Sequence, residues 1–109
     1  MSYKVKTIDV FEKQAKRLIK KYASLKTELF QLVEELKDNP IQGTAIGKSC
    51  FKIRIAIASK GKGKSGGARI IVNIVISETT VYLLSIYDKS EKENLTDKEL
   101  DELLKAISN

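Results

Sequence analysis

The sequence predicts an α+β protein, an antiparallel β-sheet with helices packed on one side, in the order β-α-α-β-β-β-α. Three observations support this prediction. Two segments near the N-terminus have apolar residues at helical spacing, three strand-like segments follow one another closely, and a helix-capping signal comes last. A length of 109 residues is usual for one domain, so we predict that residues 1–109 form a single domain.

The N-terminal third predicts one strand and two helices. Residues 3–8 alternate polar and apolar side chains, which indicates a short strand. Asp9 and Glu12 have the spacing of an N-cap and its partner, and Ser24 offers a second N-cap. Asn39-Pro40 ends the second helix, because proline disfavours helical geometry at the residue before it. The predicted buried faces consist of Phe11, Ala15, Leu18 and Tyr22 in the first helix and Leu25, Leu29, Leu32 and Leu36 in the second.

The rest of the chain predicts three strands and a last helix. Residues 41–49 are interpreted as a loop, and residues 51–57 as a strand with Phe51, Ile53, Ile55 and Ile57 on one face. A glycine- and lysine-rich loop at 59–67 separates this strand from strands at 69–76 and 80–87. Residues 96–99 form a capping box for the last helix. Its predicted inner face consists of Leu100, Leu103, Leu104 and Ile107.

Positive charge is concentrated in one segment. The net charge of the chain is +6, yet residues 39–77 contain no Asp or Glu and carry +7. The cations of this segment are Lys48, Lys52, Arg54, Lys60, Lys62, Lys64 and Arg69. An acid-free basic stretch of this kind is typical of a surface that binds nucleic acid, and less often of one that binds an anionic membrane.

Composition excludes several classes of site. The chain has no histidine, which removes Ser-His-Asp and Cys-His catalysis, and its one cysteine, Cys50, is interpreted as a small buried hydrophobe. We therefore expect no zinc and no other cofactor. No stretch is apolar enough to span a membrane, and the first residues lack the apolar run of a secretory signal. A cytoplasmic protein without a membrane partner is expected.

One motif suggests nucleotide binding and is rejected. Residues 58–65 match a relaxed phosphate-loop pattern that ends in Gly-Lys-Ser. A phosphate loop has to be followed by a helix, whereas Gly66, Gly67 and a β-branched segment follow here. A flexible loop of glycines and lysines can still close over a phosphate chain.

Three blocks of the sequence together resemble the RelE/ParE superfamily of toxins from toxin–antitoxin modules, and most closely its HigB-like branch. They are Phe-Lys-Ile-Arg at 51–54, Gly-Lys-Gly-Lys-Ser-Gly-Gly-Ala-Arg at 61–69, and the block at 83–96 containing Tyr-Asp-Lys-Ser-Glu-Lys-Glu-Asn-Leu-Thr. The predicted element order agrees with that superfamily.

The resemblance implies a function and a site. RNA-cleaving members act on messenger RNA in the ribosome, use the 2′-hydroxyl of the substrate as nucleophile, and need no metal. Carried over residue by residue, the catalytic cations are Lys52, Arg54, Arg69 and Lys89. Several relatives have a tyrosine at a place that corresponds to Leu95 here, and Tyr87 is the candidate substitute. The residues expected to bind RNA are Lys48, Lys60, Lys62, Lys64 and Lys92. The implied partners are a cognate antitoxin, the ribosome and mRNA.

Alternatives remain open at this level. The protein can be a metal-independent endoribonuclease, a ParE-like toxin that targets DNA gyrase, or a basic nucleic-acid-binding module without catalysis. Lys52 and Arg54 can also be the solvated face of a strand, and Arg69 a surface residue. Fixed guanidinium groups favour the first function, since they stabilise the charge that develops on phosphate oxygens. Neighbouring like charges disfavour a protonated lysine, so one of the crowded lysines is a candidate general base.

Overall fold

The computed structural model describes residues 2–61, 63 and 66–107. Its elements in chain order are β1 (Lys4–Thr7), α1 (Asp9–Lys21), α2 (Leu25–Asp38), β2 (Thr44–Gly47), β3 (Cys50–Ile55), β4 (Ala68–Val75), β5 (Thr80–Asp88) and α3 (Asp97–Lys105). Short 3-10 turns occupy Ala58–Lys60 and Ile76–Glu78. No helix in the described part of the chain is both long and apolar enough to cross a membrane.

The strands form one sheet in the order β1-β5-β4-β3-β2. The predicted α+β class is confirmed, with two differences. First, β1 pairs with β5 in parallel, so the sheet is mixed and not purely antiparallel. Second, the predicted loop at 41–49 contains β2, which pairs with β3 through an irregular register. This strand was missed because the four residues Thr44–Gly47, at the edge of the sheet, carry no clear alternation.

The helices cover both faces of the sheet, whereas the sequence predicted one. Ile53 of β3 lines a cleft with Leu32 of α2, which places α2 on the face of Ile53. Ile71 and Tyr87 line another cleft with Leu100 of α3, and both belong to the opposite face. As a strand covered on both sides, β4 reads as a nearly continuous apolar run and is buried at every position except Val75.

The helix termini follow the sequence signals unevenly. Thr96 caps α3 as predicted: its hydroxyl accepts a hydrogen bond from the Glu99 amide, and the Glu99 carboxylate accepts one from the Thr96 amide. Asp9 is instead the first helical residue of α1, and Ile8 occupies the cap position without a side-chain bond. Ser24 is the N-cap of α2, but its hydroxyl bonds elsewhere. The predicted inner faces of α1 and α2 are buried, except that Tyr22 is half-buried.

Candidate functional site

Three side chains lie in one row across the inner strands β3, β4 and β5, next to one end of each strand. Arg54 on β3 is directly opposite Arg69 on β4, and Arg69 is directly opposite Tyr87 on β5. Residues in such positions have Cβ atoms about 5 Å apart. Lys52 shares this face because side chains alternate along a strand. The structure thus brings together four of the five residues predicted to be catalytic.

The two arginines of this row differ in exposure. Arg54 is exposed, and it makes no ion pair with another described residue. Arg69 is only 3% exposed, and its Nη1 donates to the Ala68 carbonyl at 3.3 Å. Burial lowers the pKa of Arg69, and the positive charge of Arg54 lowers it further. Holding two guanidinium groups side by side, one of them buried, is unfavourable unless negative charge compensates it.

Tyr87 places a phenol beside the buried arginine. The residue is 5% exposed, and its hydroxyl is buried without a hydrogen-bond partner of good geometry among the described residues. Burial raises the pKa of Tyr87, while Arg69 opposes that shift. The Leu95 backbone lowers the pKa of Tyr87, as Arg69 does, but it makes no hydrogen bond of good geometry with the Tyr87 hydroxyl. A buried hydroxyl that is protonated and unpaired can donate a hydrogen bond or a proton to a bound group.

A cleft of about 70 Å³ lies beside the row, between the sheet and α3. Lys52 and Tyr87 line it together with Thr96 and Leu100, whereas Arg54 and Arg69 do not. Lys89, the fifth residue predicted to be catalytic, follows β5 directly. Its amide donates to the Gly67 carbonyl at 3.0 Å, and its Nζ lies 3.7 Å from the carboxylate of Glu93. The chain at Lys89 therefore still runs beside the start of β4.

The lysines predicted to bind RNA occupy different environments. Lys48 is ion-paired with Asp101, and Lys92 with Glu99, so acids of α3 offset both charges. The ammonium of Lys60 is largely buried and lies 2.5 Å from the Asp88 carboxylate. Lys62 and Lys64 lie outside the described residues.

Sequence reasoning missed Asp88 and the contacts that Tyr22 and Lys60 make with it. Asp88 is fully buried and accepts hydrogen bonds from Tyr22 and Lys60. An acid directly after an apolar strand was a visible signal, but partners so distant along the chain could not be read from it. In the described ranges, no group of three or more His, Cys, Asp or Glu residues could hold a metal ion.

Known proteins match this fold over most of its length. The model of a family described as the RelE toxin of the RelE/RelB toxin–antitoxin system matches residues 7–109. The isolated E. coli RelE toxin is similar, with a TM-score of 0.63 and 16% identity, over 97% of this chain and 99% of that one. A double arginine-to-alanine mutant of E. coli RelE in the free state has a TM-score of 0.60 and 18% identity, over 98% and 99% of the two chains.

These two likenesses establish the fold alone, because the identities are low. The family model goes further, since it spans all but the first six residues and describes a toxin that is paired with an antitoxin. It does not separate branches, so the HigB-like assignment stays a prediction. The chain therefore belongs to the RelE family of toxins from toxin–antitoxin systems, and an antitoxin partner follows from that membership.

Proposed function

We propose that this toxin is a ribosome-dependent endoribonuclease that cleaves mRNA in the cytoplasm and thereby inhibits translation. The observation that carries the proposal is the row of Arg54, Arg69 and Tyr87, with Lys52 on the same face. Phosphoryl transfer needs fixed donors where charge develops on the non-bridging oxygens. Two arginines and a phenol on adjacent strands of a packed sheet supply donors that are held before the substrate arrives.

Arg69 and Arg54 take the charge of the phosphate in this proposal. A scissile phosphate over the row would lie beside two neighbouring guanidinium groups, and guanidinium binds phosphate through two parallel hydrogen bonds. Because Arg69 is buried and Arg54 exposed, Arg54 would meet the RNA first and Arg69 would hold the reacting group. Lys52 and Lys89 would flank them.

In this proposal, Tyr87 and the lysines beside the row carry out the proton transfers. Tyr87 is protonated at neutral pH, since a phenol ordinarily is and burial raises its pKa further, so its hydroxyl is able to donate toward the leaving oxygen. The substrate's own 2′-hydroxyl would attack the phosphorus and pass its proton to a neighbouring lysine acting as general base, while the bond to the 5′-oxygen of the next nucleotide breaks. No step needs a metal ion, since side-chain cations can stabilise the developing charge. The ribosome would contribute by holding the 2′-hydroxyl in line with the scissile bond.

One assay separates this function from DNA gyrase poisoning. Purified toxin is added to ribosomes programmed with a defined mRNA, and cleavage is mapped by primer extension, alongside free mRNA and a supercoiled plasmid with gyrase. We expect cuts in ribosome-bound mRNA, little cleavage of free mRNA, and an intact plasmid. Trapped double-strand breaks in the plasmid with uncut mRNA would instead favour a ParE-like activity.

A further inference from the structure

A buried carboxylate joins three parts of the chain beneath the candidate site. Oδ1 of Asp88 accepts hydrogen bonds from Lys60 Nζ at 2.5 Å and from the Ser90 hydroxyl at 2.7 Å. Oδ2 accepts one from the Tyr22 hydroxyl at 2.5 Å. Tyr22 is the C-cap of α1, and Lys60 ends the 3-10 turn that opens the glycine- and lysine-rich loop. Asp88 therefore ties α1, this loop and the end of β5 together.

The carboxylate is ionised in this cluster. Burial by itself raises the pKa of Asp88, but the hydrogen bonds from Lys60, Tyr22 and Ser90 outweigh it and hold the pKa well below its usual range. A fully buried charge with several donors has little freedom to move, because losing any donor leaves it poorly solvated. The cluster therefore keeps Tyr22, Lys60 and Ser90 at fixed positions around Asp88.

Further contacts fix both ends of the loop. Next to Lys60, the Ser59 amide donates to the Ser24 hydroxyl at 2.9 Å, and the Ala58 amide donates to the Glu28 carboxylate at 2.7 Å. At the far end, Gly67 lies so close to β3 that an added Cβ would come 2.0 Å from the Ile55 carbonyl oxygen. The described loop ends are thus held against α2 and β3.

Asp88 also lies between two residues of the proposed site. Tyr87 precedes it and Lys89 follows it, and the alternation of side chains directs Asp88 to the opposite face of the sheet. Whatever fixes Asp88 therefore fixes the backbone from which the Tyr87 and Lys89 side chains extend. A displacement of about 1 Å at a reacting group can cost about a hundredfold in rate.

We propose that Asp88 is a positioning residue for RNA cleavage, acting through Lys60 and Tyr22 to hold Tyr87 and Lys89 in place. This inference rests on the proposed function. It also assigns Lys60 to the support of the site, because its ammonium is already engaged with the buried carboxylate. Asp88 itself does not touch the substrate.

The test is single-turnover cleavage of mRNA on programmed ribosomes, with toxin in increasing excess. A variant that only folds less well needs more toxin but reaches the same plateau rate, whereas a mispositioned site lowers the plateau. Asp88→Asn, which keeps the shape but removes the charge, should lower the plateau rate by about tenfold or more. The matched control is Glu91→Gln, whose partners Arg17 and Lys21 are exposed, and it should stay within about twofold.

A second variant covers the case in which Asp88→Asn fails to fold. Tyr22→Phe removes one donor to Asp88 and leaves the other bonds, so it should fold and lower the plateau by about threefold or more. An unchanged plateau in whichever of the two variants folds would overturn the positioning role while leaving the proposed function intact. A wild-type toxin that cleaves nothing would contradict the proposed function itself.

Discussion

At the scale of single residues, Arg69 is the most unusual feature of the molecule. It is almost completely buried, it lies opposite a second arginine, and its pKa is lowered mainly by that burial. Ionisable groups whose pKa is shifted by burial and by a neighbouring charge are concentrated at functional sites. Arg69 is therefore the first residue to test for a role in catalysis.

The first prediction concerns this residue. Arg69→Ala should lower the single-turnover cleavage rate on programmed ribosomes by about a hundredfold or more, as the loss of one fixed donor typically does. Arg69→Lys should recover only part of the rate, because an ammonium cannot make the two parallel bonds of a guanidinium. The control is Arg17→Ala, an exposed arginine on α1. Full activity of Arg69→Ala would remove this arginine from the mechanism.

A second prediction separates stability from activity at Tyr87. Its buried hydroxyl has no well-formed hydrogen bond to a described residue, and an unsatisfied buried polar group costs about 1–3 kcal/mol. Tyr87→Phe should therefore leave the free energy of unfolding unchanged or raise it, while it lowers the cleavage rate about tenfold or more. Urea denaturation and the ribosome assay measure the two effects. A destabilised variant with normal cleavage would show that the hydroxyl has a structural role.

The residues of the row could be predicted from the sequence, but the contacts of Asp88 that hold the neighbouring backbone could not. The antiparallel pairing of β3 and β4 brings Arg54 and Arg69 together, and the alternation of side chains along β3 puts Lys52 on the same face. The ion pair between Lys60 and Asp88 joins residues far apart in sequence. From composition alone, Lys60 was predicted to bind RNA like the other cations of its segment. Its predicted RNA contact stays a prediction.

At the scale of elements, the sequence predicted correctly those features that depend on contacts within a few residues. The capping box at Thr96 and Glu99 is complete, since both hydrogen bonds form within four residues. The strand β2 pairs with the next strand, β3, but its four residues lack a clear alternation of polar and apolar side chains. The parallel pairing of β1 depends on β5, far along the chain, so the sequence of β1 carries no signal for it. Coverage of the second face by α3 likewise depends on contacts between distant parts of the chain.

The third prediction tests the packing of the loop against β3. Gly67→Ala should lower both the melting temperature and the cleavage rate. The new Cβ would lie 2.0 Å from the Ile55 carbonyl oxygen and would push the Gly67 backbone, two residues before Arg69, away from β3. Gly63→Ala is the matched control. Its Cβ would meet nothing within 4 Å, so it should be neutral or stabilise by about 0.4–1 kcal/mol. Thermal denaturation of both variants compares the two positions; equal melting temperatures would contradict the close approach.

At the scale of the whole molecule, the acid-free segment carries +7, but acids from outside it offset part of that charge. Lys48 pairs with Asp101 of α3, and Lys60 pairs with the buried Asp88. Lys92, which follows the segment in sequence, pairs with Glu99. The cations left for RNA in our proposal are Lys52, Arg54, Arg69 and Lys89, together with the sequence-predicted Lys62 and Lys64.

The fourth prediction follows from that set. About six phosphate contacts give a log–log slope of about −4 for the affinity toward single-stranded RNA as salt increases. Replacing Lys62 and Lys64 by alanine should lower its magnitude by about 1.4. The control replaces Lys4 and Lys6, two exposed lysines on the edge strand β1, and should leave the slope unchanged. A slope near zero for the wild type would contradict RNA binding by this face.

The most direct test of cleavage through the 2′-hydroxyl of the RNA uses a modified substrate. The cleavage site is first mapped on a defined mRNA bound to ribosomes, and the 2′-hydroxyl of the nucleotide before the cut is then replaced by hydrogen. Because the account makes this hydroxyl the nucleophile, the deoxy message should stay intact at that position, and the unmodified message should yield a fragment that ends in a 2′,3′-cyclic phosphate. Cleavage of the deoxy message at the same position and a comparable rate would contradict the account.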